Sequence, residues 1–98
     1  MTKIQERVIS EYTKEYTWMK YYCNILYYDK FNLDEDEAEK IKAEYLKHSY
    51  ALNVASKCFS SRESNKYLPD ARAKAVEKAD EMYVNWLRAY GNEERSVA

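Results

Sequence analysis

The sequence predicts an all-α domain: a three-helix, up-down-up antiparallel bundle over about residues 3–28, 35–59 and 70–90, assembled as an oligomer. Three observations predict it. The 98 residues include one Gly and one Pro, whereas a β domain turns roughly every 8–12 residues and builds those turns largely from Gly, Pro and Asn. Apolar residues recur at steps of three and four through three long stretches. Within Tyr12–Tyr28, seven of seventeen residues are Tyr or Trp, and a helix so rich in apolar side chains carries a stripe wider than one neighbour can cover.

Helix 1 reads from about Lys3 to Tyr28, with a core stripe of Ile4, Val8, Tyr12, Tyr16, Met19, Cys23 and Leu26. A second stripe appears only in its C-terminal half: Trp18, Tyr21, Tyr22, Ile25 and Tyr28. Asp29–Asp34 forms the first corner. Asp34 followed by Glu37 has the spacing of a capping box, and the acids after Leu33 suit the positive end of the helix dipole. Helix 2, about Glu35–Phe59, has the heptad seam Ala38, Ile41, Tyr45, His48, Leu52, Ala55 and Phe59, widened on one side by Leu46, Tyr50 and Val54. The second corner is Ser60–Leu68, where Ser60 and Glu63 suit a short capped turn.

Pro69 reads as a helix stop and as the first residue of helix 3. That helix carries Val76, Ala79, Tyr83, Trp86 and Tyr90, with Gly91 as its C′ residue and 92–98 as a frayed polar tail of the single domain 1–98. Helix 1 at this length is about 38 Å long. An elongated bundle of such rods buries little of itself, which again predicts self-association.

The composition, 46% hydrophobic and 34% charged with net charge −1, is that of a globular chain without the basic excess of a general DNA-binding domain. Nucleic acid is therefore an unexpected partner. No apolar run approaches the length of a membrane span. The polar opening MTKIQERVIS does not resemble a secretory signal, and two cysteines in that context predict free thiols in the cytoplasm.

The residues that bear chemistry are scattered. Cys23, Cys58 and His48 are the only soft metal ligands, and a hairpin folded near residue 32 separates the cysteines along the bundle. That separation argues against a disulfide and a four-ligand zinc site, and the two cysteines read as small buried hydrophobes. Counting an EF-hand loop from Asn32 places Asp34 and Asp36 correctly, but Glu37 stands where Gly belongs and Ala43 where the bidentate Glu belongs. His48 on the apolar seam reads as a core or interface histidine bonded to a tyrosine hydroxyl, with a pH-sensitive or catalytic group as the alternative. No nucleophile has a base at a motif spacing, and one glycine cannot make a phosphate loop. These absences predict a protein that is not an enzyme and takes no cofactor.

Two surfaces remain. The partner-binding candidates are Trp18, Tyr21, Tyr22, Ile25, Tyr28 and Tyr50, because large rigid aromatics dominate interface hot spots. They predict a protein-interaction module whose partners are itself and another protein. The alternative is a small-anion or nucleotide-binding, sequestering protein. Residues 29–44 hold seven acids and three bases, a local net of −4, and 57–78 hold six bases and three acids, a local net of +3. At the basic end Arg62, Lys66, Arg72 and Lys74 are candidates to hold phosphates beside the amides that start helix 3, with Tyr67 stacking on a base. In size and composition the chain resembles the small, Tyr-rich helical accessory proteins that phages and mobile elements use to block host machinery. The resemblance implies an inhibitor.

Overall fold

The computed structural model describes residues 1–97, with side chains for all of them except Lys30 and residues 91–97. Three helices, α1 (Lys3–Asp29), α2 (Glu35–Ser56) and α3 (Ser61–Val97), and a single 3-10 turn at Lys30–Asn32 make up its regular structure. Among the described residues there is no strand.

Each helix begins at a cap that the sequence supplies. Thr2 and Gln5 cap α1 reciprocally: the Gln5 amide donates to Thr2 Oγ1 at 3.1 Å, and the Thr2 amide to Gln5 Oε1 at 3.0 Å. At α2 the Glu37 amide donates to Asp34 Oδ1 at 2.8 Å, as the DEDE corner predicts. The Ser60–Glu63 pair is a complete capping box, and it starts α3 itself rather than a separate turn. The Gln5 side chain also donates to Glu63, which links two capping boxes and pins the starts of α1 and α3 together.

The first boundary to correct is the start of the third helix, which lies at Ser61 and not at residue 70. Pro69 sits inside α3, where it forfeits one backbone hydrogen bond and crowds the preceding turn, a cost of about 3 kcal/mol. Continuing the helix puts Leu68, Ala71, Ala75 and Ala79 on one face, and all four are buried while Pro69 faces water. Burial of that face offsets the lost bond. The helix also continues through Gly91 to Val97, so Gly91 is not a C′ residue and 92–97 are helical. Ala98 lies outside the described residues. Helix α2 ends at Ser56, three residues short of the expected Phe59. There the Lys57, Cys58 and Phe59 amides bond three residues back instead of four, a tightened last turn that still carries Phe59 into the core.

α1 lies between the other two and supplies nearly all of the helix–helix packing, with α2 on one side and α3 on the other. The bonds Gln5–Glu63, Asn24–Asp80 and Asp29–Tyr83 advance together along both helices, so α3 runs parallel to α1 and α2 runs against them. The wide apolar stripe of α1 is thus shared by two neighbours. Tyr12, Phe59, Leu68 and Ala71 form the core nearest the α2–α3 corner. Ala71, Ala75 and Ala79, spaced at successive turns, present a small-residue face that lets α3 lie close to the bulky α1. The buried Thr17 hydroxyl donates back to the Thr13 carbonyl at 2.7 Å, and buried Asn24 donates to Asp80 at 3.0 Å. Ile4, expected on the core stripe, is exposed.

The molecule measures 54 × 22 × 18 Å with a radius of gyration of 15.8 Å, against about 13 Å for a compact domain of this length. No helix among the described residues is long and apolar enough to cross a membrane.

The α3 cap carries a pH signature. Bonds from the Ser60 amide first, and then from the Ser60 hydroxyl and Gln5, hold the Glu63 carboxyl below its ordinary value of 4.5. A lowered value in the folded state stabilises fully above 4.5 and is lost as the pH falls through the folded value. Glu63→Gln keeps a capping side chain without the charge. The wild-type advantage in melting midpoint over that variant is expected to be constant near neutrality and to shrink as the pH falls below 4.5. Circular dichroism melts would check this, and a pH-independent difference would refute it.

Candidate protein-binding surface

The second stripe of α1 is divided among three environments. Trp18, Tyr21 and Tyr22 are half-buried and gather around His48 of α2. The imidazole stacks near both Trp18 (6.1 Å between centroids, 22° between planes) and Tyr22 (5.9 Å, 15°). It donates from Nδ1 to the Glu15 carboxylate at 2.5 Å, and its Nε2 lies 3.5 Å from Glu44. The partner of His48 is therefore a carboxylate and not the tyrosine hydroxyl expected for it. This cluster joins α1 to α2. Burial, and then the neighbouring Tyr22 and Glu44 respectively, push the Tyr21 and Tyr22 hydroxyls above the ordinary tyrosine value. Ile25 is 1% exposed and belongs to the interior.

Tyr28 is exposed and opens a ladder of rings that crosses to α3. Tyr27 meets Tyr28 edge-on at 4.9 Å, Tyr28 stacks on Tyr83 at 5.7 Å, Tyr83 on Trp86 at 6.2 Å and Trp86 on Tyr90 at 4.9 Å. Two hydrogen bonds lock the ladder to the first corner: Tyr83 donates to the Asp29 carboxylate, and Tyr90 to the Asn32 carbonyl at 2.5 Å.

Beside this frame stand the most exposed aromatics of the chain, Phe31 at 96% and Tyr27 at 79%. Neither was singled out by the helical pattern. Phe31 lies in a corner, where periodicity gives no signal, although a phenylalanine in a short acidic turn has little that can cover it. The surrounding Asp29, Asp34, Glu35, Asp36 and Glu37 make this tip both aromatic and acidic. Further along α2, Tyr50 (74% exposed) and Leu46 (54%) stand on the outer side. Leu46 also joins two grooves, one of about 570 Å³ lined with Cys23, Tyr27 and Tyr45, the other of about 670 Å³ lined with Tyr12, Tyr50 and Leu52.

The basic end is arranged differently from the sequence expectation. Arg62, Lys66, Arg72 and Lys74 are exposed and, among the described residues, take part in no ion pair. Arg62 and Lys66 share a face one turn apart, whereas Arg72 and Lys74, two residues apart, point to different sides. Tyr67 packs against the core cluster, and the Lys66 ammonium lies 5.4 Å from its ring centroid. Because α3 starts at Ser61, the amides near residue 70 are inside the helix, and those at its true start are capped by Ser60 and Glu63.

Both cysteines are free thiols, Cys23 half-buried and Cys58 exposed. Among the described residues no group of three or more His, Cys, Asp or Glu side chains is placed to hold a metal ion. Fold and surface together define an elongated all-α chain built around a central helix. No family model, curated protein or solved structure matches it.

Proposed function

We propose that the chain is a non-enzymatic, homo-oligomeric protein-binding module, an accessory or inhibitor protein that acts by occupying a surface of another protein. The observation that supports this most is the acidic aromatic tip, Tyr27, Tyr28 and Phe31, exposed on a frame that is itself rigid. Exposed aromatics of this size are the residues that dominate interface hot spots. Held by the ladder to α3, Tyr28 has little freedom left to lose on binding, which lowers the cost of association. The acids around the tip favour a partner pocket that is apolar at its centre and basic at its rim. The anion-binding alternative has less support, because Glu63 takes the start of α3 and the Tyr67 ring is engaged by the core and Lys66.

The test compares wild type with the double variant Phe31→Ser plus Tyr27→Ser, as tagged proteins in extract from the source cells, read by quantitative mass spectrometry after cross-linking. Both side chains lie at the surface, so helical content is expected to be unchanged. A partner recovered near equimolar with wild type is expected to fall at least tenfold with the variant, since two hot-spot truncations cost about 2 kcal/mol or more. Equal recovery by the two proteins would overturn the reading.

A further inference from the structure

The inner seam of α2 packs on α1, and a second heptad lies two residues behind it along the same helix. Glu39, Ala43, Leu46, Tyr50, Asn53 and Lys57 follow one another at steps of 4, 3, 4, 3 and 4, and every one of them is exposed. Residues two apart point to nearly opposite sides of a helix. This outer seam therefore lies on the far side of α2, its flank bordering the two grooves against α1, and α2 has no second helix packed on it to any extent. It reaches the end of the helix intact, because the capping residue Lys57 keeps right-handed helical dihedrals (φ −69°, ψ −13°).

We infer that the outer seam of α2 pairs with the same seam of a second copy of this chain, antiparallel, about a two-fold axis near residue 48. The seam is self-complementary in that direction. Leu46 meets the partner's Tyr50 at the centre, Ala43 meets the partner's Asn53, and Glu39 meets the partner's Lys57, each contact occurring twice. Reversing the direction would set Glu39 on Glu39 and Lys57 on Lys57 and align the helix dipoles, so charge selects the antiparallel arrangement. It also brings the acidic start of α2 in each copy, net −4 over residues 29–44, toward the basic corner of the other, net +3 over 57–78. Steps of three and four are those by which helices interlock side by side.

The chain presents 7217 Å² to solvent, against roughly 5,900 Å² for a compact monomer of its mass, as its elongated shape requires. The inference rests on the homo-oligomeric part of the proposed function.

Sedimentation velocity on the full chain at micromolar concentrations tests it. Wild type is expected to be a dimer, and Leu46→Asp a folded monomer. Glu39→Lys and Lys57→Glu, tested singly, each place like charges at both crossings and are expected to weaken dimerisation about tenfold. The double variant restores the two contacts with their signs exchanged, an equimolar mixture of the two single variants restores one wild-type and one exchanged contact in the mixed dimer, and both are expected to recover the wild-type constant. A wild-type dimer unmoved by Leu46→Asp and by the charge changes would overturn this pairing and leave the homo-oligomeric reading standing on another face. A monomeric wild type would overturn both, and if Leu46→Asp then abolished capture of a different protein, the seam would be that protein's docking face.

Discussion

Ile25→Ala is expected to lower the free energy of unfolding by about 2–5 kcal/mol, read by denaturant titration with circular dichroism. A domain of this size has only about 5–15 kcal/mol to lose. At 1% exposure Ile25 is the largest fully buried side chain, and its truncation leaves a cavity where α1 is enclosed by its neighbours. Had it stood on a partner-binding face, as its place in the second stripe suggests, the same change would move the stability of the isolated chain by about 0.5 kcal/mol or less. The measurement therefore separates the two positions cleanly. A small effect would mean that Ile25 is not enclosed in the interior of the bundle. Phe31→Ala makes a suitable contrast, because at 96% exposure it removes no buried contact.

The case of Ile25 shows what a repeating pattern can and cannot convey. Spacing identified an apolar face on the second half of α1 but carried no information about what lies on it. The structure assigns Trp18 and Tyr22 to α2 and stacks Tyr28 on α3. The inner seam of α2 was more legible: from Ala38 to Phe59 all seven residues are buried or half-buried, because one partner covers one stripe and the period alone locates it. The flanking Leu46, Tyr50 and Val54 are instead the exposed ones. Caps at Asp34 and Ser60 were legible too, since they depend on residues three apart.

Pro69 was not. The rule that stops a helix at proline weighs one local bond, while burial of Leu68, Ala71, Ala75 and Ala79 is decided by α1, far away in the chain. Long-range polar pairs were invisible for the same reason. Nothing near Asn24 in sequence points to Asp80, and nothing near His48 points to Glu15. Phe31 belongs to no α-helix but to the 3-10 turn between α1 and α2, so the most exposed aromatic of the tip carries no period.

Alkaline pH is expected to unfold the chain well before it would unfold an otherwise similar domain with solvated tyrosines. Four hydroxyls, those of Tyr12, Tyr21, Tyr22 and Tyr83, are held above the ordinary value of 10.0, in every case chiefly by burial. At Tyr12 the positive charge of Arg72 partly opposes this. At Tyr83 the bond donated to Asp29 and the negative charge of that carboxylate reinforce it, since a tyrosinate there would have no proton to donate and would face another anion. A group whose value is raised by folding contributes its full stability below the unfolded value of 10.0 and loses it as the pH rises toward the folded value. The unfolded chain releases these protons first, and ionisation drives unfolding. The tyrosinate absorbance that belongs to these four hydroxyls is therefore expected to appear together with the loss of the helical circular dichroism signal above pH 10.0.

Tyr83→Phe separates this linkage from simple alkaline damage. The variant loses the bond to Asp29 and is expected to be about 1 kcal/mol less stable at neutral pH. It also carries one fewer raised hydroxyl, so its stability is expected to fall less steeply above pH 10.0, and the two curves converge. Parallel curves would show that Tyr83 ionises without cost in the folded chain, and the ring ladder would then not hold the corner of α1 against α3.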